Sequence, residues 1–123
     1  MIKRLTVTDA VINSNKELQL ELDRDINLNG FKPSGQMLVD SEGLSFIYLL
    51  EHDDAYTYIS VPDTVWNSLK DAIPESLSVV VTNGRERLLL PQFQEELEYL
   101  IENIKGNSNY GEKMMSKVEA VFC

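Results

Sequence analysis

Three residue types with reactive or bulky side chains are nearly missing: the chain has one cysteine, one histidine and one tryptophan in 123 residues. The cysteine is the last residue, Cys123, so no intramolecular disulfide can form. That fits a reducing compartment and a cytoplasmic location. Basic residues are also scarce. Eleven Lys and Arg stand against twenty Asp and Glu, a net charge of −9, and both halves of the chain carry a similar excess of acid. Without a basic patch there is nothing to neutralise phosphate, so neither nucleic acid nor an anionic membrane is an expected partner. Long apolar runs are absent too. The longest is Phe46 to Leu50, far too short to span a bilayer. The basic start at Lys3-Arg4 lacks the apolar stretch that a secretory signal needs after it.

What is present is ordinary for a globular protein: 43% hydrophobic and 25% charged residues, enough to form a core without a disulfide or metal staple. Residues 1–123 are expected to form one domain. Ile2 to Ile12 is rich in Thr, Val and Leu. Glu17 to Leu22 alternates, with Leu18, Leu20 and Leu22 on one face. Period-two alternation marks a strand with one buried face, so the two segments read as a hairpin around Asn13–Lys16. Asp23 to Gly35 is polar, contains Gly30, Pro33 and Gly35, and reads as a loop before a short strand over Gln36 to Asp40. Leu44 to Leu50 and Tyr56 to Val61 read as a hairpin around Glu51–Ala55. Its first strand is apolar on both faces, which predicts cover on both sides. Asp63 opens a helix carrying Val65, Trp66, Leu69 and Ile73. Leu77 to Thr82 and Arg85 to Leu90 flank Asn83-Gly84, a strong hairpin signal. A helix with Phe93, Leu97, Leu100, Ile101 and Ile104 follows, and Met114, Met115, Val118, Val121 and Phe122 mark a last one.

The order β-β-β-β-β-α-β-β-α-α predicts an α+β fold: a mainly antiparallel sheet of about six or seven strands with about three helices packed on it. Every link between consecutive strands is too short for a parallel crossover.

Certain segments resemble a known group of proteins. They are Gly35-Gln36-Met37-Leu38-Val39-Asp40-Ser41, Tyr56-Thr57-Tyr58, Trp66, Gln94 to Leu100, and above all Ile104-Lys105-Gly106-Asn107-Ser108-Asn109-Tyr110-Gly111. From Gly35 onward the chain is similar to a family of short, acidic, uncharacterised proteins of low-GC Gram-positive bacteria. Residues 1–34 resemble that family only in being strand-like. The resemblance implies a cytosolic bacterial protein, and it brings no activity and no site residues.

No catalytic constellation stands out. Asp23-Arg24-Asp25-Ile26-Asn27 begins like a calcium loop, but Leu28 and Ser34 stand where the motif needs glycine and glutamate. His52 lies in the acidic run Glu51–Asp54, and one turn cannot supply a metal's full ligand set. Gly106 to Gly111 has the glycine spacing of a phosphate loop, but Glu112 follows where lysine is required. No metal and no cofactor is therefore expected. Phe46, Tyr48, Tyr56 and Tyr58 fall on neighbouring strands and are read as sharing a face. Tyr48, Tyr56 and Tyr58, with Tyr110 in the polar loop, are the candidate binding residues. The role expected is a non-enzymatic protein-binding or adaptor module with an acidic surface, engaging a protein partner or a second copy. The alternative is a small-molecule sensor or enzyme with a pocket between helices and sheet.

Overall fold

The structure, a computed structural model, describes residues 3–23 and 26–123. Seven strands form one mixed sheet: β1 (Lys3–Ile12), β2 (Glu17–Leu22), β3 (Lys32–Asp40), β4 (Ser45–His52), β5 (Ala55–Pro62), β6 (Ser78–Thr82) and β7 (Arg87–Leu89), in the spatial order β3-β4-β5-β1-β2-β6-β7. Three helices follow the expected order: α1 (Trp66–Ala72), α2 (Phe93–Ile104) and α3 (Glu112–Phe122). Four of the six strand pairings are antiparallel. The other two, β1 with β5 and β2 with β6, are parallel. The short links rule out parallel pairing only between consecutive strands. Both parallel pairs join strands separated by other elements.

The alternation of β2 does what period two demands. Leu18 and Leu20 are fully buried on the inner face, beside Leu5 and Val7 of β1 and Val79 and Val81 of β6. α1 rests on β1 and β2, α2 touches β3 and β6, and α3 packs on α1 and α2. β3 and β6 stand five places apart in the sheet, so the sheet wraps partly around α2 as a half-barrel. At the centre Trp66 is fully buried. Its ring lies 5.0 Å from Phe46 and 5.7 Å from Phe122, and its indole N–H donates to the Val61 carbonyl at 3.0 Å.

Three local readings change. β3 begins at Lys32, not Gln36, because Pro33 and Gly35 sit in an irregular edge strand rather than a loop. Residues 34–36 all face Leu49 in a wide bulge between the Pro33–Leu50 and Met37–Tyr48 pairs. Such bulges, and a proline, are common ways to blunt a sheet edge. The β4–β5 turn has two residues, Asp53 and Asp54, both at positive φ (50° and 61°), between the paired His52 and Ala55. In the other direction, Asn83-Gly84 is only half of a four-residue loop. Thr82 pairs with Arg87, and the Asn83 carboxamide oxygen accepts from the Arg85 and Glu86 amides.

Residues 26–31 cross the end of the sheet from β2 to β3. They are tied at one end by Asn83 Nδ2 to the Ile26 carbonyl (2.6 Å) and by the Leu28 amide to Glu86 (3.0 Å). At the other end Phe31 stacks on His52. Arg24 and Asp25 of the calcium-like run lie outside the described residues.

Candidate interaction face

The elements that contact the sheet from the helical side do so on its inner face, leaving the outer face without a helix. β4 is nevertheless buried from Ser45 to Leu50. Phe46, Tyr48 and Leu50 enter the core, while Ile47 and Leu49 point outward and are still only 3% and 6% exposed. Their cover comes from side chains on neighbouring strands. Arg4 starts on β1 beside Tyr58 and reaches across β5 and β4. Its guanidinium donates to Ser60 Oγ at 3.0 Å and to Asp40 Oδ2, at the end of β3, at 2.7 Å. Arg87 spans the other half of the face to Glu17. The Arg4 bond, together with the Gly43 amide, holds the Asp40 carboxyl below its ordinary value.

The four expected tyrosines separate. Tyr48 pairs with Ile59 and is fully buried, stacked on Phe93 at 5.9 Å. Its hydroxyl donates to the Pro91 carbonyl at 2.8 Å and accepts the Gly35 amide at 3.2 Å, pinning the β3 bulge to the start of α2. Burial raises its pKa above the usual tyrosine value. Tyr56 and Tyr58 pair with Glu51 and Leu49 and lie on the outer face, Tyr56 45% exposed and Tyr58 half-buried. The shared face expected for Phe46, Tyr48, Tyr56 and Tyr58 is therefore corrected: two rings point inward and two outward. Tyr110 is half-buried in a 3-10 turn, Ser108–Tyr110, whose neighbour Gly111 approaches Ser41 at the opposite end of β4 from the Tyr56 hairpin tip.

Six large apolar side chains are well exposed among the described residues, and four of them, Val11, Leu38, Tyr56 and Leu89, are on the outer face. Leu38 is the neighbour that sequence reasoning missed. It is the register partner of Ile47, and its outward parity follows from that pairing, which the sequence does not show.

The outer face ends at the β4–β5 hairpin in an open cleft of about 560 Å³ formed by Gly30, Lys32 and residues 51–56. His52 is half-buried on its wall, its ring 4.7 Å from Phe31 and its Nδ1 3.4 Å from Asp53. A side chain on Gly30, at φ +86°, would crowd the imidazole. A second cleft, about 320 Å³, lies where α2 begins, over Val79, Leu90 and Phe93. At its edge Gln94 Oε1 is buried with no hydrogen-bond partner. No group of three His, Cys, Asp or Glu among the described residues is placed to hold a metal ion. In the glycine-spaced loop, the Gly106 amide donates to the Glu119 carboxylate at 2.7 Å, so an internal acid already uses that amide. No helix among the described residues is long and apolar enough to cross a membrane.

Comparison with known proteins places the chain. Residues 5–122 match UPF0738, a family of unknown function. A UPF0738 protein of Bacillus subtilis (strain 168) is 43% identical over 122 residues, 99% of each chain. One from Bacillus licheniformis is 39% identical over 123 residues, again 99% of each. One from Geobacillus sp. (strain WCH70) is 37% identical over 123 residues, 99% of this chain and 98% of the relative. No solved structure matches. The likeness to proteins of low-GC Gram-positive bacteria, read from Gly35 onward, thus extends through the first hairpin as well. The chain belongs to the UPF0738 family, to which no function is assigned.

Proposed function

We propose that this chain is a non-enzymatic, cytoplasmic protein-binding module that docks a partner on the outer sheet face, with Tyr56 and Tyr58 at one end of the contact and Leu38 at the other. The observation that carries the reading is that the helices lie on one face while four of the six well-exposed large apolar side chains among the described residues lie on the other. Exposed aromatic residues with an apolar body and a polar tip suit a surface that is wet when free and dry when bound. Tyr48 acts as a structural pin. Tyr110 lies apart and belongs to no contact with this face.

The test is site-directed photo-crosslinking in the native cytosol, with a benzoylphenylalanine at position 56 and, as control, at Tyr99 on α2. A discrete adduct formed from position 56 and absent from position 99, and weakened by Leu38→Ser, is the expected result. Equal labelling from both positions, or none from position 56, overturns the reading.

A further inference from the structure

Three places in the molecule invite a ligand: the cleft over Val79 and Phe93, the glycine-spaced loop, and the hairpin corner of the outer face. In the first, Gln94 Oε1 is occluded, so a ligand atom cannot reach it without moving the side chain. In the second, Glu119 already takes the Gly106 amide. The corner has neither obstacle.

We infer that the partner docked on the outer face presents an arginine, whose guanidinium lies on the Tyr56 ring and is held by Glu51, with Asp53 and Asp54 completing the field around it. The inference rests on the proposed docking role and names the partner's chemistry. Its first support is register. Glu51 and Tyr56 are direct cross-strand partners on the outer face, which sets their Cβ atoms roughly 5 Å apart. An exposed ring and an exposed carboxylate at that spacing match a planar cation that stacks through its face and donates through its edge. A lysine ammonium satisfies the carboxylate but cannot stack. The second support is space, since the open cleft beside the pair holds far more than one guanidinium.

The third support is charge. Around the cleft Glu51, Asp53 and Asp54 stand against one cation, Lys32, a local balance of 1 − 3 = −2. Among the described residues, Arg4 and Arg87 on this face are held by Asp40 and Glu17. A second copy of the chain brings the same acidic corner and the same −9 overall. A two-fold contact through this face would therefore set like charges together, so a basic partner is favoured over self-association.

Lys32 is also the register partner of Glu51, on the other side from Tyr56. It competes for the carboxylate, which gives a test with a gain as well as a loss. The probe is N-acetyl-L-arginine methylamide, followed by amide-shift titration of the full chain, with the citrulline analogue as the uncharged isostere. The expected result is millimolar binding with shifts confined to residues 30–32 and 51–56, and little response to citrulline. Glu51→Gln should weaken the arginine probe about threefold, as should Tyr56→Leu, while Lys32→Gln should tighten it by a similar factor. Equal response to arginine and citrulline, or shifts scattered over all the acidic surfaces, overturns the inference. Because the crosslink at position 56 reads any protein partner, a captured partner with no localised arginine response defeats this inference and leaves the docking role standing. Absence of both defeats both.

Discussion

Tyr48→Phe removes one oxygen atom and should cost far more than a surface change. The ring stays, so its stacking on Phe93 and its burial are kept. What is lost is a pair of hydrogen bonds, 2.8 Å to the Pro91 carbonyl and 3.2 Å from the Gly35 amide. Gly35 is buried inside the β3 bulge, where the sheet ladder offers its amide no partner. Leaving that amide unpaired costs about 1–3 kcal/mol. Pro91 is exposed, so its carbonyl can turn to water at roughly 0.5–1 kcal/mol. The sum is about 1.5–4 kcal/mol, or on the order of 10 °C in Tm for a domain of this size. Urea unfolding read by the fluorescence of the buried Trp66 should show a lower midpoint at unchanged slope, and the Gly35 amide should exchange faster. There is a pH signature as well. Burial raises the folded pKa of Tyr48 above 10, so the fold favours the neutral phenol. Its contribution is complete below the unfolded value and declines as pH rises above it. The gap between the native chain and Tyr48→Phe should therefore narrow above pH 10. A loss under about 0.5 kcal/mol with unchanged Gly35 exchange would refute the pin.

Three further outcomes are expected. Replacing the turn as Asp53→Asn with Asp54→Gly relieves two left-handed residues in a two-residue hairpin and should stabilise by about 0.5–1 kcal/mol, read as a higher Tm; a lower Tm counts against the turn geometry. Gln94→Leu removes a buried acceptor that has no partner together with one long bond, Nε2 to the Leu77 carbonyl at 3.4 Å, and should stabilise by about 0.5–1 kcal/mol in urea titration, whereas a loss of that size means the bond to Leu77 outweighs the unpaired oxygen. Asp40→Asn should cost no more than about 0.5–1 kcal/mol at neutral pH, because Arg4 is nearly half exposed. Since the Asp40 pKa is depressed, its contribution is present above 3.8 and fades as pH falls through the lower folded value, so native and variant curves should converge in acid.

Much of the fold was legible because hydrophobic period decides it. The leucines of β2 went inward as alternation required, and the stripe Phe93, Leu97, Ile101 and Ile104 became the buried face of α2. The tyrosines were misgrouped for a related reason. A strand's side chains flip face with every residue, so parity across a hairpin depends on turn length. Reading residues 51–55 as the turn hides the parity. The two-residue turn at Asp53-Asp54 fixes His52 against Ala55, and by counting back Tyr48 falls opposite Ile59 and Tyr58 opposite Leu49. Pro33 and Gly35 misled because strand breakers are tolerated at an edge, and no local signal says that a strand is an edge. The neighbour relation of β1 and β5 was out of reach of sequence, since nothing local encodes which distant strands meet.

The doubly apolar strand β4 carried the strongest functional hint. Period two alone predicts that Ile47 and Leu49 need cover, and no helix provides it. Within the chain an ionic arm crosses the same face. Arg4 reaches over Ser60 to Asp40, so a charged arm lies across apolar surface with its head in solvent. Ser60, which the arm bonds, is the register partner of Ile47, and Tyr58, beside which it starts, is that of Leu49. The arm stops short of Leu38 on one side and of Tyr56 on the other, both 45% exposed. The face thus divides into a strapped centre and exposed, unstrapped flanks. Apolar flanks beside an acidic corner, on a sheet face otherwise covered by its own charged side chains, are better accounted for by association than by folding.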